Sequence, residues 1–242
     1  MPSLSFAERA RADEWMDDAS VAEDHLREAL QNLQWINRWL GGYRASYDQM
    51  APLLDARASL RVLDVGTGGG DYLPEFVRWG QAAQCSVTAV GVDLNPVTAG
   101  YGRAWLDATL PPAFRDRARI DIGDALALPY PDNAFDVGHA ALFLHHLYDE
   151  SARLLLQELD RVSRLGILIN DLHRHPLAFA GIWTLARLLQ FSPMVQHDGP
   201  LSVRRGFHRA DLQALASRAR LSSPRIRWHW AFRWTLSSLP SA

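Results

Sequence analysis

Residues 62–71 read Val-Leu-Asp-Val-Gly-Thr-Gly-Gly-Gly-Asp: an apolar run that passes straight into a glycine-rich turn. The order predicts a strand, a tight turn and the start of a helix. Glycines at 66, 68 and 70 let the backbone adopt angles that a Cβ would forbid and approach a ligand closely. Asp64 falls where the strand ends. Four more β-rich runs follow, so that the candidate strands are Arg61–Val65, Val87–Asp93, Ala118–Ile122, Phe135–Leu144 and Leu165–Asn170. Their starts are 26, 31, 17 and 30 residues apart, with helical stretches between them. That spacing predicts βαβ units, a mainly parallel sheet and helices on both faces.

The flanks read differently. Residues 1–57 look helical: Ser20-Val-Ala-Glu23 forms a capping box, and Leu26, Leu30, Leu33 and Leu40 keep helical spacing. Trp35, Ile36 and Trp39 widen that stripe, Gly41-Gly42 stops it, and a second helix is expected from about Tyr43 to Leu54. After the fifth strand comes a mostly apolar helical segment, Pro176–Phe191, then a turn-rich loop through His197-Asp-Gly-Pro200 and a helix at about Arg209–Arg220. In the closing RIRWHWAFRWTL run, Ile226, Trp228, Trp230, Phe232, Trp234 and Leu236 alternate with more polar positions, which predicts one long strand or a hairpin with one buried face. The expected organisation is a helical cap over 1–57 and a larger unit over 58–242 with an insertion at about 174–205.

Composition narrows the chemistry. The 242 residues are 48% hydrophobic, enough for a sizeable core, and the net charge of −2 supplies no field for nucleic acid or acidic membrane. Every basic residue is arginine, which excludes a Schiff base or a phosphate-loop lysine. Cys85 is the only cysteine, so no intramolecular disulfide and no cysteine-rich metal site is expected. The first residues are charged early and lack a signal-peptide apolar stretch, and Leu177–Ala186 is too short to span a bilayer. A soluble cytoplasmic protein is expected.

The turn departs from the dinucleotide pattern G-x-G-x-x-G, because Asp71 stands where the third glycine belongs and would repel a pyrophosphate. The pattern Asp-x-Gly-x-Gly-x-Gly instead resembles the first motif of class I S-adenosylmethionine (SAM)-dependent methyltransferases. Gly91-Val-Asp93-Leu94, Ile122-Gly-Asp124-Ala125 and the Pro129–Asp136 run follow in that family's order and resemble its type 11/25 group, and parts of the flanks look like bacterial polyketide- or quinone-tailoring members. The resemblance covers roughly 60–172. It implies a Rossmann-like methyltransferase sheet with an antiparallel strand near the carboxyl terminus, and SAM as cofactor. It assigns cofactor contacts to Asp64, Gly66, Thr67, Gly68 and Gly70 in the turn, to Asp93 and Leu94 at the ribose, to Asp124 and Ala125 at the adenine, and to Ala140 after strand four. The Val162-Ser-Arg-Leu-Gly166 stretch departs from the family's turn before strand five.

Methyl transfer from a sulfonium is an in-line displacement, and a protonated acceptor such as a phenol near pKa 10 gains from a positioned base. His146 and His173 are the first candidates, then His145, with His175 and Asp171 nearby. No metal is expected: Asn170, Asp171, His173 and His175 offer too few oxygens for magnesium, and H-x-H on a loop is a common accident. The apolar Ala140–His146 segment lacks the polar motif of nucleic-acid amine methylation, so no nucleic acid is expected as substrate. Trp15, Trp35, Trp39, Phe179, Trp183, Phe191 and Met194 belong to the expected cap, either as its own core or as lining for a flat, greasy acceptor. The expected activity is O-methylation of a phenolic hydroxyl on a small hydrophobic or aromatic molecule, with C-methylation of a quinol-type or polyketide ring as the alternative. Outside that class stand a non-catalytic SAM-binding protein and an NAD-dependent oxidoreductase. The tryptophan-rich terminal run could serve a homodimer or a buried sheet face equally well.

Overall fold

The computed structural model describes residues 5–18 and 22–240. The capping box at Ser20 therefore lies outside the described residues. Seven strands form one sheet in the order β3-β2-β1-β4-β5-β7-β6. Strands β1 (Ser59–Val65), β2 (Ser86–Asp93), β3 (Ala118–Ile122), β4 (Phe135–Ala141) and β5 (Ser163–Leu172) run parallel, and β7 (Arg233–Ser237) is antiparallel to both β5 and β6 (Arg225–His229). The Rossmann-like sheet with its antiparallel carboxyl-terminal strand is thus present. Nine of the ten parallel-strand boundaries fall within two residues of the sequence expectation, and the exception is the end of β4. That strand stops at Ala141 because Leu142 takes φ +52° and the chain turns into a short 3₁₀ helix, Leu144–His146.

The terminal aromatic run is a hairpin, turning at Ala231 and Phe232 with φ +59° and +57°. Its alternation does not mark one buried face. β7 lies between two strands and is buried on both faces, whereas β6 is the sheet edge and leaves Trp228 exposed. The expected loop after Pro176–Phe191 is also helical. Helix α6 (Pro176–Leu188) is followed by α7 (Pro193–Arg205), which starts with Ser192 Oγ accepting from Val195 N–H at 3.3 Å and carries Gly199 and Pro200 inside it. A Cβ on Gly199 would stand 3.0 Å from Ile182, so glycine here permits close packing of α6 against α7.

Two apolar layers sandwich the sheet. Helices α5 (Asp149–Val162) and α8 (Arg209–Ala219) cover one face through Leu155, Leu156, Leu159 and Leu212. On the other face lie α2 (Gly42–Ala56), α3 (Tyr72–Ala82) and α4 (Pro96–Thr109), with Met50, Leu54, Phe76 and Leu106. A third cluster joins α1 (Glu23–Trp39) to α6 and α7 through Ala29, Ile36, Ala186, Phe191 and Met194, with Trp35 against it. Trp35, Phe191 and Met194 are therefore core of these helices, while Trp15, Trp39 and Trp183 are exposed. No helix among the described residues is long and apolar enough to cross a membrane.

Candidate active site

Every parallel strand ends at the same sheet edge, where ligands bind in open α/β folds. Gly66, Gly68 and Gly70 all have positive φ, at +61°, +53° and +70°. The ring of Phe143 lies so close to Gly66 that a Cβ there would meet it at 2.2 Å. Thr67 N–H donates to the Val92 carbonyl at 3.1 Å, tying the turn to the end of β2. Asp93 fixes it from the other side: one carboxylate oxygen accepts from Gly68 N–H at 2.9 Å and the other from Asn95 N–H at 2.9 Å. Burial pushes the Asp93 carboxyl above its usual range, against those two donors. Leu94, 69% exposed, and Ile122, 49% exposed and directly opposite Asp93 in register, leave apolar surface at the tips of β2 and β3. Asp124 is exposed and caps its own turn by accepting from Leu126 N–H at 2.8 Å.

Other expected contact residues look inward. Asp64 is buried: one oxygen accepts from Thr67 Oγ1–H at 2.7 Å and the other lies 2.7 Å from His139 Nδ1. Ala125 and Ala140 both belong to the apolar cluster under α5. The turn and the Asp93 carboxylate still suit SAM. Positive-φ glycines bring the backbone of the turn to the sheet edge, the Asp93 carboxylate stands beside it, and exposed Leu94 and Ile122 offer apolar surface.

Asp71 does something the sequence reading missed. Its Oδ2 accepts from Asn37 Nδ2–H at 3.0 Å and from Tyr43 O–H at 2.8 Å, which ties α1 and α2 to the start of α3. The network continues: Arg233 donates to Asn37 Oδ1 at 3.0 Å and to Asn170 Oδ1 at 3.4 Å, Asn170 donates to Ser46 Oγ at 2.9 Å, and Ser46 Oγ lies 2.9 Å from His139 Nε2. Burial raises the Asp71 carboxyl above its ordinary value even though Asn37 and Tyr43 pull it down. The folded protein thus holds this proton more tightly than the unfolded chain does. Its contribution is full below the unfolded carboxylate pKa of about 3.9 and is lost as pH rises past it. In urea titrations from pH 5 to 8, the stability of Asp71→Asn should gain on the wild type as pH rises; a constant difference would contradict a strained buried carboxylate.

Beyond the turn, a cavity of 440 Å³ is lined by α1, α6, α7, the β6–β7 hairpin and the segment after β4. Its walls are mostly aliphatic, with Leu33, Ile36, Leu177, Ile182 and Val203, and its aromatic side comes from Trp228, Trp230 and Phe232 of the hairpin. Leu142 lines it while the adjacent Phe143 packs on Gly66, so one loop links chamber and glycine turn. The polar end is Glu14, His145 and His146, with Ser202 bonded to Glu14, and Asp198 and Arg233 also line the chamber.

His145 is buried, its N–H and Nδ1 both on the Asp171 carboxylate at 3.0 and 2.8 Å. Burial alone would raise the Asp171 carboxyl, but His145 outweighs it and the net shift is downward, so Asp171 stays ionised. His146 Nδ1 lies 2.7 Å from Asp17 Oδ1. Arg205 donates to Asp17 at 2.8 Å and to the His146 carbonyl at 3.1 Å, and Arg9 donates to the His145 carbonyl at 2.8 Å, fixing the histidine turn from outside. Glu14 was not foreseen, since it is 131 positions from His145 in sequence. Its segment is held in place by Asp198, which accepts from Trp15 N–H at 2.9 Å and Met16 N–H at 3.0 Å. Burial pushes the Glu14 carboxyl up to about 7, against His146 and Arg205. Glu14, His145 and His146 offer ligand atoms within 4.8 Å of one another, a spacing that would admit a metal ion. The Arg205 guanidinium, 3.4 Å from Glu14 and 2.8 Å from Asp17, already supplies positive charge there.

His173 is not among the residues lining the chamber. Its Nδ1 accepts from Trp228 Nε1–H at 3.3 Å, and burial together with His175, His208 and Arg174 lowers its pKa to about 4. His175 accepts from Leu177 N–H at 3.1 Å and caps α6.

A parallel sheet in this order, a glycine-rich first turn and an acid closing the second strand are features of class I SAM-dependent methyltransferase domains. The comparisons point the same way: residues 62–166 match the family described as "Methyltransferase domain". The chain is similar to a demethylmenaquinone methyltransferase of Roseiflexus sp. (strain RS-1), 38% identical over 128 residues, covering 51% of this chain and 48% of the relative. It is also similar to the 27-O-demethylrifamycin SV methyltransferase of Amycolatopsis mediterranei (strain S699), 34% identical over 119 residues, covering 49% and 40%. The matches span about half the length of these curated relatives. Among solved structures, human N-acetylserotonin methyltransferase aligns with TM-score 0.62 at 17% identity, over 91% of this chain and 57% of that one. A SAM-dependent methyltransferase from Aquifex aeolicus aligns with TM-score 0.57 at 16% identity, over 78% and 87%. At these identities the likeness is one of fold.

Proposed function

We propose that this chain methylates an oxygen of a small apolar acceptor held in the 440 Å³ chamber, with His145 as the base. The observation that carries this reading is the His145–Asp171 pair at the chamber's polar end. A carboxylate on Nδ1 fixes the tautomer and leaves Nε2 as a lone pair facing the acceptor, the logic of a base oriented by a third group. SAM, when bound, supplies an electrophilic methyl on sulfur. The carbon–sulfur bond breaks as the carbon–oxygen bond forms, the acceptor's proton passes to Nε2, and S-adenosylhomocysteine is released. The chamber walls hold the acceptor in line and exclude water, which is where most of the acceleration arises. The aliphatic lining suits an aliphatic or mixed acceptor as well as the expected phenol. Methylation of a quinol carbon is a second reading, favoured by the demethylmenaquinone methyltransferase relative. The same base would there take a ring hydroxyl's proton and activate the carbon.

Calorimetric titration with S-adenosylhomocysteine, SAM and NAD should give micromolar binding of the two sulfur ligands and none of NAD. Asp93→Ala should weaken that binding about ten- to a hundred-fold, as loss of charged hydrogen bonds worth about 1.5–3 kcal/mol predicts. Turnover of alkyl phenols or quinols with labelled methyl then separates oxygen from carbon transfer in the product. Tight NAD binding, or no sulfur-ligand binding at all, would overturn the assignment.

A further inference from the structure

At the polar end of the chamber, beside Arg205 and Ser202, three side chains turn polar atoms toward one another without hydrogen-bonding together. Glu14 is 4% exposed, and its Oε1 has no hydrogen-bond partner among the described residues. His145 Nε2 stands 3.6 Å from Oε1, and His146 Nε2 stands 3.9 Å from Oε2. Each imidazole has Nδ1 against a carboxylate, Asp171 at 2.8 Å and Asp17 at 2.7 Å. A neutral imidazole that donates from Nδ1 presents only a lone pair at Nε2. Polar atoms of three side chains therefore converge, at separations too long for direct hydrogen bonds and right for small groups bridging between them. A buried polar atom left without a partner, as Glu14 Oε1 is, is costly, so the ligand that fits must bring hydrogen-bonding groups.

A single hydroxyl brings one. Two adjacent hydroxyls bring two, with oxygens spaced closely enough to reach neighbouring members of this set. They are also neutral, so they enter an apolar chamber without adding a second buried cation beside Arg205. We propose that the acceptor carries two adjacent hydroxyls, as a catechol or vicinal diol, on an apolar body: Glu14 holds one while His145 takes the proton of the other. This rests on the reading of the chamber as the acceptor site. The one methylated at His145 loses a donor, so the monomethyl product fits the corner less well than the substrate, which favours release after a single transfer.

The test compares a 4-alkylcatechol with its matched 4-alkylphenol, in the wild type and in Glu14→Ala and Glu14→Gln. Calorimetric affinity for each acceptor and for S-adenosylhomocysteine is read beside kcat/KM. The wild type should prefer the dihydroxy compound by about 30-fold or more, since a site built to hydrogen-bond a hydroxyl rejects the analogue lacking it. In Glu14→Ala the preference should fall to within about threefold, with the cofactor product bound as before. Glu14→Gln keeps a carbonyl acceptor and should recover part of the gap. Equal handling of the two compounds by the wild type overturns the proposal, as does an equal loss for both in Glu14→Ala. So does activity that chelators abolish and zinc restores, or a stronger preference for an alkylamine. If neither acceptor binds while S-adenosylhomocysteine does, the chamber reading itself fails; if both bind but His145→Gln turns over normally, only the base assignment fails.

Discussion

His145→Gln should lower kcat by about 10²–10⁴-fold, the usual contribution of a positioned base, while S-adenosylhomocysteine binds as in the wild type. The two halves of that result come from separate parts of the sheet edge. His145 sits on the 3₁₀ turn after β4 and is held by Asp171 at the end of β5, whereas the glycine turn and Asp93 belong to β1 and β2. Asp171→Asn should lose a large part of the same factor, because an amide can donate to Nδ1 and turn the wrong tautomer toward the acceptor. His146→Gln should cost less, since His146 is more exposed and its partner Asp17 is shared with Arg205. His173→Ala should leave kcat within about twofold, because its imidazole lies outside the chamber lining and accepts from Trp228. Steady-state kinetics beside calorimetry on the four variants checks the ranking. A full loss in His173→Ala with normal His145→Gln would reverse the assignment.

What the sequence disclosed follows the range of the interactions involved. The glycine turn, Asp93 and the strand spacing are local patterns, since the geometry at each depends on neighbours in the chain, and all three stand where the motif puts them. The chamber could not be read in that way. Its polar end joins Glu14 to His145 and His146, and its aromatic wall comes from Trp228, Trp230 and Phe232 in the β6–β7 hairpin. Those aromatics alternate along the chain, and period two alone does not tell an edge strand from one flanked on both sides. Gly199-Pro200 signals a loop by itself, yet packing of α7 on α6 and the hold of Asp198 on residues 15 and 16 keep it helical. The sequence alone sets Asp71 toward a ligand, whereas its donors, Asn37 and Tyr43, lie in the helices before the sheet.

Arg233→Met should be the most destabilising single change in that network, by about 3–5 kcal/mol, which for a chain of this size lowers Tm by roughly 10 °C. The guanidinium is 1% exposed and donates to the Leu40 carbonyl at 3.3 Å, to Asn37 at 3.0 Å and to Asn170 at 3.4 Å. Methionine keeps an unbranched apolar stem but donates nothing, so three acceptors lose their partner together. The damage should also be directional. Asn37 and Leu40 are in or next to α1, and Asn170 is in β5, so losing Arg233 loosens α1 from the sheet before it disturbs the core packed under α5. Hydrogen exchange should therefore show protection falling first in α1 and α2, with β1 and β4 unchanged until global unfolding. Because α1 also lines the chamber through Leu33 and Ile36, acceptor KM should rise more than the affinity for S-adenosylhomocysteine falls. Asn37→Ala, which removes one of the three acceptors, should make the additional cost of Arg233→Met smaller than in the wild type. Strictly additive losses, or exchange rising evenly over the whole chain, would mean that Arg233 is only a packing residue of β7 and does not fasten the cap helices to the sheet.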